Sequence, residues 1–413
     1  MQTITLAPDF LQPACPRCRT PFPVGRISSG RSSSEAIGHC GNCKTATRIL
    51  LPEKHKKLVY LDQSFISAVW DAIHDGSTNT VEHQIFTQLM ELRERQDIFI
   101  VVSDIHSQET SAIPDISKRK GVWELANRLA DGTIAVTWSD IFIVQQRRVI
   151  DTPEVTQRFH PSDIGLENPF RARIGLQVIP TNAWRLRLWA DTTQQTSQVI
   201  EHVRDILNAQ ESALGPEATL ADCLMLIREL WRKNLLEGIA AVKAQQTAVG
   251  RLLQADENGG DTHTAIAGIL SAPTSPFSRT ASQVVNGLDE TALDRFHDLL
   301  LNEPTGGCAC VRLMTAFEAE MLWDWYRGHG KTIANTNKMN QKYGRSRLND
   351  FAHVSTFLPY VDVLTTDREM ENFCSREVAS KEISGFSTKL YSKKSYPDFE
   401  RWLDNLTSTA GAQ

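Results

Sequence analysis

The sequence predicts an α/β protein with a mainly parallel sheet, split by a large helical insertion and preceded by a small cysteine-knuckled module. Three observations carry this. The apolar runs KLVYLD, IFIVV and VDVLTT, each bounded by turn residues, alternate with amphipathic helical stretches, the pattern of a parallel sheet with crossover helices. Between the second and third run lies a long stretch rich in helix formers. Ahead of the first stand two Cys-x-x-Cys pairs.

With 413 residues, 41% of them hydrophobic, the chain can bury a sizeable core. Its net charge of -5 excludes a chain that is basic throughout, so nucleic-acid affinity has to come from local patches. No apolar run approaches the roughly 18 residues that span a bilayer, and MQTITLAPDFLQ lacks the basic flank and apolar core of a signal peptide. The expectation is a cytoplasmic protein with no membrane partner.

Cys15, Cys18, Cys40 and Cys43 stand as CPRC and CGNC with 21 residues between the pairs, close to the paired-knuckle spacing of a zinc ribbon. Two such turns, tightened by Pro or Gly, place four thiolates around one Zn2+ and close its shell, so the site is structural. A disulfide framework is the competing reading; a chain this long with no export signal favours zinc. Cys223, Cys308, Cys310 and Cys374 have no such spacing, and Cys308 and Cys310 read as semi-buried thiols.

The ribbon region, residues 1–57, holds nine Lys or Arg against three Asp or Glu. It is +6 in a chain whose remaining 356 residues carry about -11. Such a module suits a phosphate backbone or an acidic protein partner; a ribbon too small for a core also displays charge simply to stay solvated. ISSGRSSSEAIG between the knuckles is a Ser/Gly-rich loop, and KHKK is the linker into the main domain.

KLVYLD reads as a buried strand ending in Asp62, and QSFISAVWDAIHDG as a helix closed by Gly76. A second helix runs from about Thr80, and Ile98–Val102 is the next buried strand. Ser103 and Asp104 offer N-caps for a helix beginning near Ile105, which carries Glu109 on its first turns, able to face Asp62. From about Gly121 to Gly328 the chain is mainly helical. WELANRLADG is a helix feeding a strand, TIAVTW, and the following stretch through Arg173 is loop-rich, with Pro153, Pro161 and Pro169. Residues 183–257 are helical with a break near Gly215-Pro216; Leu220, Leu224, Ile227 and Trp231 form an amphipathic stripe for packing. SAPTSPFSR, 271–279, reads as an exposed loop. At the end, RLNDFAHVSTFLPYV is a helix placing Asp350, Val354 and Phe357 on one face. VDVLTT is a strand, DREMENFCSRE opens a helix, TKLYS is a short strand and YPDFERWLDNL a closing helix.

Taken in order, these residues resemble the PIN-like nuclease superfamily. That family's pattern is an Asp ending the first strand, a Glu early on the helix after the second, an Asp on a later helix and an Asp in a Thr-x-Asp turn after the following strand. Asp62, Glu109, Asp350 and Asp367 take those places, with Thr365 as the turn threonine that helps orient the last acid. The resemblance covers roughly 58–118 and 345–406 and implies a three-layer α/β/α core, here 58–120 and 345–413. The ribbon, 1–57, and the insertion, 121–344, lie outside it. It also implies that Asp62, Glu109, Asp350 and Asp367 are catalytic and bind Mg2+ or Mn2+. Asp104 is a substitute for Glu109, whereas Asp362 reads as an exposed strand-start residue.

Those residue types suit phosphodiester hydrolysis. The reaction needs a nucleophilic water and stabilised charge on the phosphorane and leaving oxygen, which one or two hard divalent ions supply, and carboxylates are the ligands such ions prefer. Without metal, four clustered carboxylates repel and at least one binds a proton more tightly than usual. The stretch from Gly328 to Asn349 holds Lys331, Lys338, Lys342, Arg345 and Arg347 with no acid and leads into Asp350. It can guide a phosphate backbone, with Tyr343 stacking on a base, or serve as a solvated loop. GHGKT within it is not a phosphate-binding P-loop: Trp325 stands where the first glycine belongs and a helix precedes it.

The expectation is a metal-dependent endonuclease, acting on RNA more than DNA by analogy with relatives in toxin, defence or processing roles. Its zinc ribbon or helical insertion would bind substrate or a protein partner. Alternatives are a structure-specific DNA nuclease and a non-catalytic nucleic-acid or protein adaptor.

Overall fold

The computed structural model describes residues 2–5, 14–20, 27–29, 35–50, 56–95, 97–130, 135, 138–151, 159, 214, 217–258, 290–329 and 345–410. It is mixed α/β and mostly helical, and none of the described helices is long and apolar enough to cross a membrane.

The N-terminal part is a four-stranded sheet of β1 (Gln2–Thr5), β2 (Ile27–Ser29), β3 (Glu35–His39) and β4 (Ala46–Leu50), in the order β1-β4-β3-β2. β3 and β4 pair antiparallel from Glu35↔Leu50 to His39↔Ala46. The turn joining them is the Cys40–Cys43 knuckle, so sheet register fixes where those thiols stand.

The main body holds a second sheet of β5 (Lys57–Tyr60), β6 (Ile98–Val101), β7 (Val363–Thr365) and β8 (Lys389–Tyr391), in the order β6-β5-β7-β8 with every pair parallel. Successive residues alternate between two cores, as the strand period of two requires. Leu58, Tyr60, Val101 and Leu364 enter one, Val59, Leu61, Ile100 and Val363 the other.

On the second face lie α1 (Gln63–His74), α2 (Val81–Glu94), α4 (Ile116–Leu129) and α12 (Tyr396–Ala410). Their buried stripes, including Phe65, Ile66 and Val69 of α1 and Ile85 and Leu89 of α2, pack with that strand face. Each such side chain contributes about 1.5–3 kcal/mol on full burial. Gly76 closes α1 at φ 69°, left-handed backbone that glycine adopts without Cβ strain. Between β6 and α4, α3 (Asp104–Ser111) rises from a capping box formed by Ser103 and His106.

The first face is covered by α5 (Trp138–Asp151), α6 (Leu220–Asn258), α7 (Glu290–Asn302), α8 (Ala309–His329), α9 (Arg345–Phe357), α10 (Arg368–Cys374) and α11 (Glu377–Ile383). Phe142, Trp231, Phe296 and Phe317 from the central helices share one cluster with Tyr60, Phe357 and Leu364. The helical middle therefore builds the layer over one sheet face. Trp231 Nε1 donates to the buried Glu318 side chain at 2.8 Å, which gives a polar group inside that layer a hydrogen-bond partner.

Five sequence expectations change. ISSGRSSSEAIG, expected as a loop, supplies β2 and residues 35–38 of β3, and Cys308 and Cys310, expected as semi-buried, are fully buried. Trp138 opens α5 instead of ending a strand; of TIAVTW before it only Ala135 is otherwise described, its N–H donating to Val102 O at 2.7 Å. The stretch expected as loop after it is helical as far as Asp151: Ile141, Phe142, Gln145, Gln146, Val149 and Ile150 are buried at helical spacing. The two glutamines interrupt the apolar stripe and concealed the period. In α6 the buried line is Cys223, Ile227, Trp231, Leu235 and Ile239, with Leu224 only partly buried. Residues 183–213, Gly215-Pro216, 271–279, and Pro153, Pro161 and Pro169 lie outside the described residues.

Candidate functional site

The chain leaves β5 for β6 on one side of the sheet and later enters β7 on the other, so β5 and β7 flank a topological switch point. Open α/β sheets bind ligands outside the carboxyl ends of their strands at such a point. Asp62 follows β5 and Asp367 follows β7, and both are helix N-caps with extended backbone. Asp62 accepts from the Ser64 amide at 2.9 Å and from its hydroxyl, and Asp367 Oδ1 accepts from the Met370 amide at 2.6 Å. The helix N-termini add favourable positive potential to both carboxylates. Asp62 N–H donates to Thr365 Oγ1 at 2.7 Å, so the turn threonine fixes the first acid rather than the last.

Asp350 on α9 and Glu109 on α3 complete the set. Burial pushes the Asp350 carboxyl up to about 9, reinforced by the charges of Asp62, Asp367 and Glu109 and opposed by Arg347. Burial also raises Asp62, against its Ser64 hydrogen bonds, with Asp367 adding to the rise. All four acids thus share one electrostatic neighbourhood. Asp104 lies in the first turn of α3, where it accepts from Gln108 Nε2 at 3.4 Å. Asp362 is partly exposed ahead of β7; its carboxylate accepts from Lys57 Nζ at 2.7 Å and Leu58 N at 2.9 Å, clamping the start of β5.

Of the basic segment, Lys331, Lys338, Lys342 and Tyr343 lie outside the described residues, and Arg345 opens α9. Arg347 turns inward with only 7% of its side chain exposed. Its guanidinium lies 3.4 Å from Asp350 Oδ2 and 3.7 Å from Asp367 Oδ1, and pairs with Glu369. An arginine placed so bridges two of the acids and partly neutralises them.

Beneath the acids lies a buried polar tier that sequence reasoning missed. Tyr60 OH stands 2.8 Å from Ser103 Oγ, 2.8 Å from His353 Nδ1 and 3.3 Å from His106 Nδ1. His106 Nε2 meets Leu61 O at 2.6 Å; a carbonyl only accepts, so Nε2 carries the proton. Nδ1 of the neutral ring then accepts from Ser103 N–H at 3.1 Å. Burial holds His106 down at about 4 and His353 well below 6.5, which keeps both rings neutral. The available signal was Tyr60 within an apolar strand, together with His106 and His353 each three residues from a candidate acid.

In the ribbon, Cys15 Sγ lies 3.5 Å from Cys43 Sγ and Cys18 Sγ 3.4 Å from Cys40 Sγ, and all four sulfurs fall within 4.8 Å of one another. A tetrahedral ion with metal–sulfur bonds of about 2.3 Å sets sulfurs about 3.8 Å apart, whereas a disulfide needs about 2.05 Å. The quartet fits a metal, and the cysteines are free thiols. The two knuckles repeat one local structure: Arg19 and Lys44 occupy left-handed backbone at φ 59° and 57°, and Thr20 and Thr45 place Oγ1 3.2 Å from Cys18 and Cys43 Sγ. Thr20 holds the Cys18 thiol down at about 6, favouring the thiolate a metal requires.

Among the described residues the cysteines are the one group of three or more potential ligands gathered this tightly; the acids stand further apart. Comparison with models of known families, with curated proteins and with solved structures finds no match.

Proposed function

We propose that this protein is a metal-dependent endonuclease that hydrolyses phosphodiester bonds, in RNA more than in DNA, on a PIN-like core carrying a structural zinc ribbon. The observation that supports it is the convergence of Asp62, Glu109, Asp350 and Asp367 at the switch point of a parallel sheet, where Asp350 feels the other three. Bound Mg2+ or Mn2+ would supply an activated water and stabilise charge on the phosphorane and leaving oxygen.

The chain's own residues do the rest. Asp62, Glu109, Asp350 and Asp367 would hold the ion, the first and last anchored through backbone caps that fix their carboxylates. Arg347, paired with Asp350, Asp367 and Glu369, partly neutralises the acids and would lie beside a phosphate held at the site. Lys331, Lys338, Lys342 and Arg345 guide the backbone electrostatically, an effect that weakens with salt. Cys15, Cys18, Cys40 and Cys43 hold Zn2+, and the exposed Arg17, Arg19, Lys44 and Arg48 give the ribbon a cationic surface for nucleic acid or an acidic partner. A role as toxin or defence effector is consistent with this chemistry.

A second reading, an adaptor that binds nucleic acid without cutting it, draws on Arg347 standing among the acids. Purified protein incubated with single-stranded and structured RNA and DNA, in Mg2+, Mn2+ or EDTA, separates the two. Metal-dependent cleavage supports the nuclease, and binding without cleavage supports the adaptor.

A further inference from the structure

We propose that Tyr60, His106 and His353 are positioning residues that hold Asp62, Glu109 and Asp350 in mutual register for the metal; this rests on the metal-site reading above. Tyr60 is fully buried two residues before Asp62, and its hydroxyl is the meeting point of three elements. His106 precedes Glu109 by three residues on α3, and His353 follows Asp350 by three on α9. Residues three apart on a helix share a face. Each helix therefore places an acid at the site and, one turn away, an imidazole on the Tyr60 hydroxyl.

The bond from His106 Nε2 to Leu61 O fixes the peptide that leads into Asp62. Tyr60 also stacks on Phe357 with ring centroids 4.4 Å apart, which sets the ring that carries the hydroxyl. The sheet end, α3 and α9 are thus tied at one atom, and a shift of either helix would move its acid relative to Asp62.

Packing alone does not account for the tier. His353 Nε2 is buried without a hydrogen-bond partner, and a buried polar atom left so costs free energy that an apolar side chain of similar volume would not. Outer groups that orient metal ligands bear such costs because their loss commonly weakens binding about 10–100-fold.

The test measures Mn2+ affinity of the full chain, its cysteine site loaded with zinc, from the free-ion EPR signal well below the melting temperature. Tyr60→Phe and His353→Leu are compared with Leu125→Ala, which thins the core on the opposite sheet face, and with the Asp62→Asn, Asp367→Asn double variant. Thermal melts identify which variants fold. His353→Leu, which removes the unpartnered nitrogen, decides the matter if Tyr60→Phe does not fold.

About tenfold weaker Mn2+ binding in Tyr60→Phe and His353→Leu, with Leu125→Ala unchanged despite a lower melting temperature, is the expected result. Wild-type affinity in both tier variants, alongside lost binding in the acid double variant, overturns the positioning role and leaves the metal site standing. Wild-type protein that binds Mn2+ no better than the acid double variant overturns both.

Discussion

The backbone N–H of Asp62 donates to the side chain of Thr365 at 2.7 Å, joining residues 303 positions apart. That bond ties the end of β5 to the end of β7 at the switch point, and one of its two members is a candidate metal ligand. The helical middle returns the chain to this contact, where the two halves of the site meet.

Thr365→Val removes the acceptor and leaves the Asp62 amide buried without a partner. The expected cost is about 1–3 kcal/mol in urea unfolding, whereas Thr365→Ser, which keeps the hydroxyl, stays close to wild type. Equal losses in both variants would mean that the threonine methyl, and not the bond, matters.

Arg347→Gln is expected to move two measurements in opposite directions. Losing the guanidinium that contacts Asp350 and Asp367 should tighten Mn2+ binding about tenfold, or about 1.4 kcal/mol. On the proposed nuclease reading the same change should weaken nucleic-acid binding, because a cation beside the phosphate site is gone. Titration calorimetry with Mn2+ and a filter-binding assay at one salt concentration read the two effects. Weaker Mn2+ binding would show that the arginine supports the ion site instead of competing for it.

Much of the α/β core was legible in the sequence. Short apolar runs with strong punctuation gave β5, β6 and β7, and Thr80, Ser103 and Gly76 marked helix ends where capping chemistry requires them. The acids were legible because each follows a strand or sits on a readable helix. What stayed hidden depended on contacts distant in sequence. The inward turn of Arg347 is set by Asp367 and Glu369, and a sequence shows only a basic loop there. The polar tier was hidden because a tyrosine in an apolar run reads as ordinary core until two histidines from other elements meet it.

Acid should weaken the fold through those histidines. In the unfolded chain both take up protons as pH falls through about 6.5, while in the fold His106 resists until about 4 and His353 is likewise depressed. Their contribution is complete above pH ~6.5 and is lost on the way down, at about 1.4 kcal/mol per pH unit for each ring. Asp350 acts in the opposite sense: its folded pKa of about 9 lies above the ordinary carboxyl value of 3.8, so its contribution is greatest in acid and lost as pH rises between them. His353→Leu isolates one ring. Between pH 6 and 5 its stability to urea should fall about 1.4 kcal/mol less than that of wild type, and identical slopes would contradict the assignment.

The ribbon should hold one ion per chain. Cys18→Ser removes the thiol that Thr20 holds down at about 6, and is expected to release the metal without abolishing the cooperative melt of the α/β body. Native mass spectrometry reads the stoichiometry. Retention of the ion in this variant would mean that the quartet is not its site.

Cleavage of mixed single-stranded and structured RNA and DNA in Mg2+, Mn2+ or EDTA, beside the Asp62→Asn, Asp367→Asn double variant, reads the proposed nuclease activity itself. The expected result is cleavage, of RNA more than DNA, that requires the divalent ion, leaves 5′-phosphate ends and vanishes in the variant. Cleavage unchanged in the variant, or none from a wild-type protein that binds the substrate, would contradict it.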